Sequence, residues 1–368
     1  MNINLYLNAS QIERIENHWS SWWAGESQRP MILLRTWDQI TNRTGDEYTH
    51  YFLLEKPVSQ ILDYYQERIE TTHFYGDTLP TWYPPFGPGI LAGFLGAKVR
   101  PSFEHRTVWF ESDSPIPFDD LHFVFDGANV WWRRVVELTQ GAIERWQNQV
   151  LVGFTDLGGI LDVLASFRTT NQLLFDLINS PDEVIRVAGE IKSLWLRYYD
   201  ELYAIIKNKQ KGTVNWAGMW SPGKTYMHQC DFSYMISPKM FRQFVLDDLT
   251  TCFKQLDHPF YHLDGKGALP HLETLLSQQQ LAGVQWIPGT GQPEPEKWPL
   301  IIKHILSAGK LCQVYVSPEG ARTIVREIGG RGLAFIINTD TPMSPTESTE
   351  FLKVLASEDI TGKGKHYD

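Results

Sequence analysis

His262 and Asp264 stand two residues apart in the segment Pro259-Phe-Tyr-His-Leu-Asp-Gly265. Phe260 and Tyr261 read as the end of a buried strand, and in an extended backbone residues two apart project to the same side. Gly265 and Gly267 permit a sharp turn into the helix that follows. An imidazole and a carboxylate are thus placed together at the mouth of a strand. That pairing suits a metal ion, a proton shuttle or a polar group of a substrate.

Eight strand-like segments can position such residues: 31–34, 78–82, 150–154, 213–217, 258–262, 283–287, 310–316 and 333–338. Most are separated by helical periodicity, with Pro181 and Ser237-Pro238 marking helix starts. Successive βα units imply parallel strands with right-handed crossovers, and eight of them predict a closed (β/α)8 TIM barrel. The whole chain, 1–368, reads as a single α/β domain. It has an irregular N-terminal extension over about 1–29 and a long insertion after the second strand, about 84–127, holding a local hairpin. No Gly-x-Gly-x-x-Gly follows the first strand, so a dinucleotide-binding fold has no support. Active sites of such barrels form where strands end. Those positions hold Arg35, Trp37, Asp77, Trp82, Thr155, Asp156, Trp216, His262, Asp264, Gln285, Trp286, Tyr315, Asn338 and Asp340, a polar and aromatic set.

A hydrophobic content of 42% can fill a full core. The net charge of −10, with no basic block, argues against nucleic acid as a partner. Three dispersed cysteines form no zinc-finger or disulfide spacing, which fits a reducing cytoplasm. No apolar run is long enough to span a membrane, and the N-terminus has no export pattern. Fourteen tryptophans suit both a core and a pocket for a flat or cationic ligand. His228 beside Cys230 reads as structural, and Cys312 as core. Gly289-Thr-Gly291 reads as a turn and His271 as a surface residue.

Three segments resemble the uroporphyrinogen decarboxylase superfamily, which includes the corrinoid-dependent methyltransferases. Asp231-Phe-Ser-Tyr-Met-Ile-Ser-Pro is similar to an acidic loop leading into a Ser-Pro helix start. His262-Leu-Asp-Gly stands where the family has His-x-Cys-Gly, and Asn338-Thr-Asp-Thr-Pro where many members have a Cys before Thr-Pro. The resemblance runs from about Asn171 to Leu355. In the metal-dependent methyltransferases, His-x-Cys and a distant Cys bind zinc, which activates a thiolate. The resemblance therefore implies His262, Asp264 and Asp340 as metal ligands. A His with two carboxylates is a harder set, suited to manganese or iron(II) as well as zinc.

The resemblance also implies His262, Asp264 and Asp77 as catalytic residues. Arg35, Trp82, Trp216, Asp231, Gln285, Trp286 and Tyr315 are candidates for substrate binding. Only Arg35 stands in for the arginines that hold substrate carboxylates in the decarboxylases, which argues against haem biosynthesis. The implied function is methyl transfer between a small substrate and a cobamide carried by a corrinoid protein. A decarboxylase or lyase of a small carboxylate, and a carbohydrate-active barrel, are the alternatives. A homodimer is left open.

Overall fold

The computed structural model describes residues 5, 7–37, 54–102, 104, 107–339 and 341–362. The strands along them are β1 (Met31–Trp37), β2 (Thr72–Gly76), β3 (Thr81–Trp82), β4 (Lys98–Ser102), β5 (Thr107–Glu111), β6 (Leu151–Val152) and β7 (Thr213–Val214). There follow β8 (Trp220–Ser221), β9 (Thr225–His228), β10 (His258–Asp264), β11 (Gly283–Ile287), β12 (Leu311–Val316) and β13 (Leu333–Ile337). A seven-stranded sheet runs β2-β1-β13-β12-β11-β10-β9. All its pairings are parallel except that of β2 with β1.

The α/β class and the parallel sheet are as expected, but the continuous ladder is not eight parallel strands. The expected second strand shrinks to β3, which pairs with the equally short β6, and one antiparallel strand joins the edge of β1. Single hydrogen bonds continue the contacts, from Gly153 N–H to the Trp82 carbonyl at 2.7 Å and from Phe154 N–H to the Val214 carbonyl at 3.0 Å. The insertion does hold a hairpin, β4 with β5. Among the described residues no helix is long and apolar enough to cross a membrane.

Strand alternation sorts the core into two layers. Met31, Leu33, Phe260, Leu311 and Ala334 share one apolar cluster, enclosed by the strands. Their neighbours Ile32, Leu34, Tyr261, Leu263, Cys312 and Phe335 belong to a second, packed under the helices. The N-terminal extension, expected to be irregular, is a helix, Ala9–Trp23, capped by Asn8. Trp19 and Trp22 insert into the enclosed cluster. Their indole N–H groups donate to the carbonyls of Asp77 and Leu333, and that of Trp23 to Trp220. Three of the fourteen tryptophans therefore plug the N-terminal end of the sheet.

Asp77 belongs to that plug. Gly76 has φ +68°, and a Cβ there would lie 2.4 Å from the Ile32 carbonyl, so only glycine makes the turn. Asp77 then accepts two bonds from Arg29 at 2.8 Å each, one from Ile32 N–H at 2.9 Å, and faces His18 Nδ1 at 2.8 Å. Burial alone would raise its pKa, but hydrogen bonds from His18 and Arg29 and their charges outweigh it and pull the value to about 2. Its carboxylate is committed at the start of β1, away from the strand ends where catalysis was expected, so its role is structural.

A depressed carboxyl pKa stabilises the fold above its ordinary value, near 4, and that contribution disappears as pH falls through about 2. The shift corresponds to about 2 kcal/mol. Asp77→Asn should lower stability by at least this amount at pH 7. Urea unfolding followed from pH 5 to pH 2 should show a shallower pH dependence in the variant; parallel curves would contradict the assignment.

Candidate active site

At the opposite, C-terminal ends of the strands, alternation brings polar side chains inward. His262 and Asp264 follow Phe260 on the inner side of β10. Register places His262 opposite Gln285 on β11, and Gln285 opposite Gln313 on β12. The three side chains form a ladder: His262 Nδ1 is bonded to Gln285 Oε1, and Gln285 Nε2 donates to Gln313 Oε1 at 2.7 Å. Both glutamines are fully buried. Because the Gln285 amide group donates to Gln313, its oxygen accepts from His262, so Nδ1 carries the proton. The Nε2 lone pair of His262 is then left for an ion or a proton.

Asp231 completes the centre. Asp231, His262 and Asp264 each offer a ligand atom, all within 4.8 Å of one another. Asp231 opens the turn Asp231–Met235, which is held from two sides. The backbone N–H groups of Asp231 and Phe232 donate to the Asp162 carboxylate at 3.0 and 2.7 Å. His271 Nε2 bonds the Ser233 carbonyl at 2.8 Å, and its ring stacks on Phe241 at 4.4 Å. His271, expected at the surface, is fully buried and braces the turn. Gly265 and Gly267 leave room for the Tyr234 ring, which a Cβ at either would strike at 2.8 or 2.6 Å.

Negative charge accumulates around this centre. Burial raises the Asp231 pKa, His262 opposes that, and Asp264 adds to it. Burial and then Asp231 raise Asp162, against the two backbone N–H groups it accepts. Burial pushes Asp156 up to about 7, with Asp231 and Asp162 adding repulsion. Two carboxylates beside an imidazole, with further acids behind them, make an electrostatic setting that a divalent cation relieves. The donor set of one nitrogen and carboxylate oxygens fits zinc, manganese or iron(II).

Trp216 walls the centre, its ring 5.4 Å edge-on from that of His262 and its N–H donating to the Met227 carbonyl. On its other side lies a cavity of about 580 Å3 that also contains Arg35, Tyr315 and Trp82. Trp82 borders it from the helix layer, packed between Tyr65 and Trp146. Trp286 does not reach the mouth: adjacent to inward Gln285, it points outward, fully buried against Trp298. Asp340 lies outside the described residues.

Asp231 was assigned to substrate, yet it stands with His262 and Asp264; Asp162, Gln313 and His271 carried no chemical signal of their own. Gln313 was findable, since it occupies the register position beyond Gln285 on the next parallel strand. The cysteines take no part. All three are buried, and burial raises their pKa values, while burial lowers His228 to about 3.

The sequence matches no family model and no curated protein. The fold does match solved structures. A methyltransferase from Methanosarcina mazei aligns over 95% of this chain and 99% of that one, with a TM-score of 0.58 at 12% identity. A B12-independent methionine synthase from Shewanella sp. W3-18-1, in complex with selenomethionine, aligns over 62% of this chain and 66% of that one, at 12% identity and a TM-score of 0.33. The first likeness defines the class of fold: an α/β protein with the architecture of that methyltransferase.

Zinc or manganese titrations should separate ligands from their support. Asp231→Asn should weaken binding more than Gln313→Met, which removes only the outer end of the ladder and should cost about tenfold in affinity. Unchanged affinity in Gln313→Met would show that the ladder does not orient His262.

Proposed function

We propose that this chain is a methyltransferase acting at the Asp231–His262–Asp264 centre, of the corrinoid-linked kind, within a single (β/α)8-type domain. The observation that carries this reading is the convergence of those three side chains at the strand ends. The fold shared with a methyltransferase supports it. A divalent ion held by the three would act as a Lewis acid on the oxygen or sulfur of an acceptor.

The remaining roles fall to the chain itself. Gln313 and Gln285 hold His262 in one tautomer. The proton that an acceptor releases passes to solvent, to which Asp231 and Asp264 are open. The acceptor's electron pair forms the new bond to the methyl carbon while the donor departs with the electrons of the old one. Trp216 forms one apolar wall beside His262. The methyl donor on this reading is a methylated cobamide brought by a separate corrinoid protein.

A second reading has its own support. The cavity beside Trp216 contains Arg35, and a cationic pocket also suits decarboxylation of a small carboxylate.

Metal-loaded protein incubated with methylcob(III)alamin and a panel of small thiols, hydroxyl compounds and carboxylates tests both. Methyl transfer predicts loss of the methylcobalamin spectrum and a methylated acceptor, with His262→Ala lowering the rate at least about a hundredfold. That variant should lose only about 1 kcal/mol of stability. Release of carbon dioxide from small carboxylates, with methylcobalamin unchanged, would favour the second reading.

A further inference from the structure

The cavity beyond Trp216 differs in charge from everything around it. The chain carries a net charge of −10, and the neighbouring centre is crowded with carboxylates. Yet the described residues lining the cavity include two arginines, Arg35 and Arg68, and no aspartate or glutamate. The arginines are not equivalent. Arg68 lies over the Tyr64 ring at 4.2 Å and bonds its hydroxyl. Arg35 projects inward from β1 and makes one side-chain hydrogen bond, to Thr81 Oγ1 at 3.0 Å, with no carboxylate partner among the described residues. A guanidinium offers five N–H donors, so most of those on Arg35 remain for a ligand.

Two further features point to an acceptor-rich guest. Asn215, fully buried and lining the cavity, accepts the N–H groups of Ala217 and Met219 with Oδ1, both at 3.1 Å. Those bonds fix its amide, and its Nδ2 is a buried donor without a partner among the described residues. Gly218, whose φ of +75° favours glycine, brings the backbone within van der Waals reach of Arg35. Seven aromatic side chains share the remaining walls with aliphatic ones, Tyr83, Trp216 and Tyr315 among them. Rings in this number favour a flat, unsaturated body over an aliphatic one.

We propose that this cavity binds an aromatic carboxylate, with Arg35 pairing the carboxylate and the aromatic walls enclosing the ring. At about 580 Å3 it has room for more than one ring. Trp216 is common to the cavity and the His262 centre, so a ligand in the cavity lies beside that centre. The proposal names a substrate class for the methyl-transfer reading and rests on that reading only for its link to chemistry.

Binding is therefore measured without metal or methyl donor, by calorimetry and tryptophan fluorescence, using 2-naphthoate, 2-naphthalenemethanol and acetate. The naphthoate should bind at least about tenfold more tightly than either the neutral alcohol or acetate. Arg35→Met should abolish the preference for naphthoate over the alcohol, and Arg35→Lys should restore part of it, with thermal melts confirming that both variants are folded. Equal binding of naphthoate and alcohol, or an affinity unchanged in Arg35→Met, would overturn the role of Arg35. Acetate binding as tightly as naphthoate would overturn the aromatic body, and no naphthoate binding by the folded wild type would overturn the whole. Naphthoate binding in a protein that transfers no methyl group would leave this proposal standing and remove the methyl-transfer reading.

Discussion

If β11 slipped by one residue against β10, Trp286 would stand opposite His262 and Gln285 would turn into the apolar layer beneath the helices. The register prevents both. It aligns His262, Gln285 and Gln313 at one level inside three adjacent parallel strands. A buried amide without partners is costly, so each rung fixes the next. The same register keeps Trp286, Leu263 and Val314 in the helix-facing core, whose burial in turn holds the strands in place. Site and core are therefore two sides of one constraint.

Charge is separated along the mouth. On one side Asp231, Asp264 and the carboxylates behind them favour a cation; on the other, Arg35 stands among aromatic and aliphatic walls with no acid among the described residues. Trp216 divides the two. The acidic side is tolerated because backbone N–H groups of the Asp231 turn satisfy Asp162, and because burial raises the proton affinity of the cluster. A substrate bearing an anion at one end and a reactive polar group at the other matches this polarity better than a neutral one.

The α/β class, the positions of β10 to β13 and the inward pairing of His262 with Asp264 were legible in the sequence, since they depend on local periodicity. What escaped depended on chain entry and tertiary contact. Asp77 follows a glycine, as a substrate-facing aspartate does in the resembling family, but Arg29 and His18 from the N-terminal segment claim it. Asp231 joins His262 only because Asp162 and His271, distant in sequence, hold its turn. Trp286 was misplaced by treating adjacent strand residues as one surface, which the two-residue period forbids. The continuous eight-stranded ladder failed at β3 and β6, too short for alternation to register.

Every chemical role proposed for the mouth depends on a nitrogen-and-oxygen centre built from Asp231, His262 and Asp264. X-ray absorption at the metal edge of zinc-loaded protein tests it most directly. The expected result is a set of light donors near 2.0–2.1 Å including one imidazole, with no sulfur contribution. A zinc–sulfur distance near 2.3 Å would move the ion to a cysteine and contradict it.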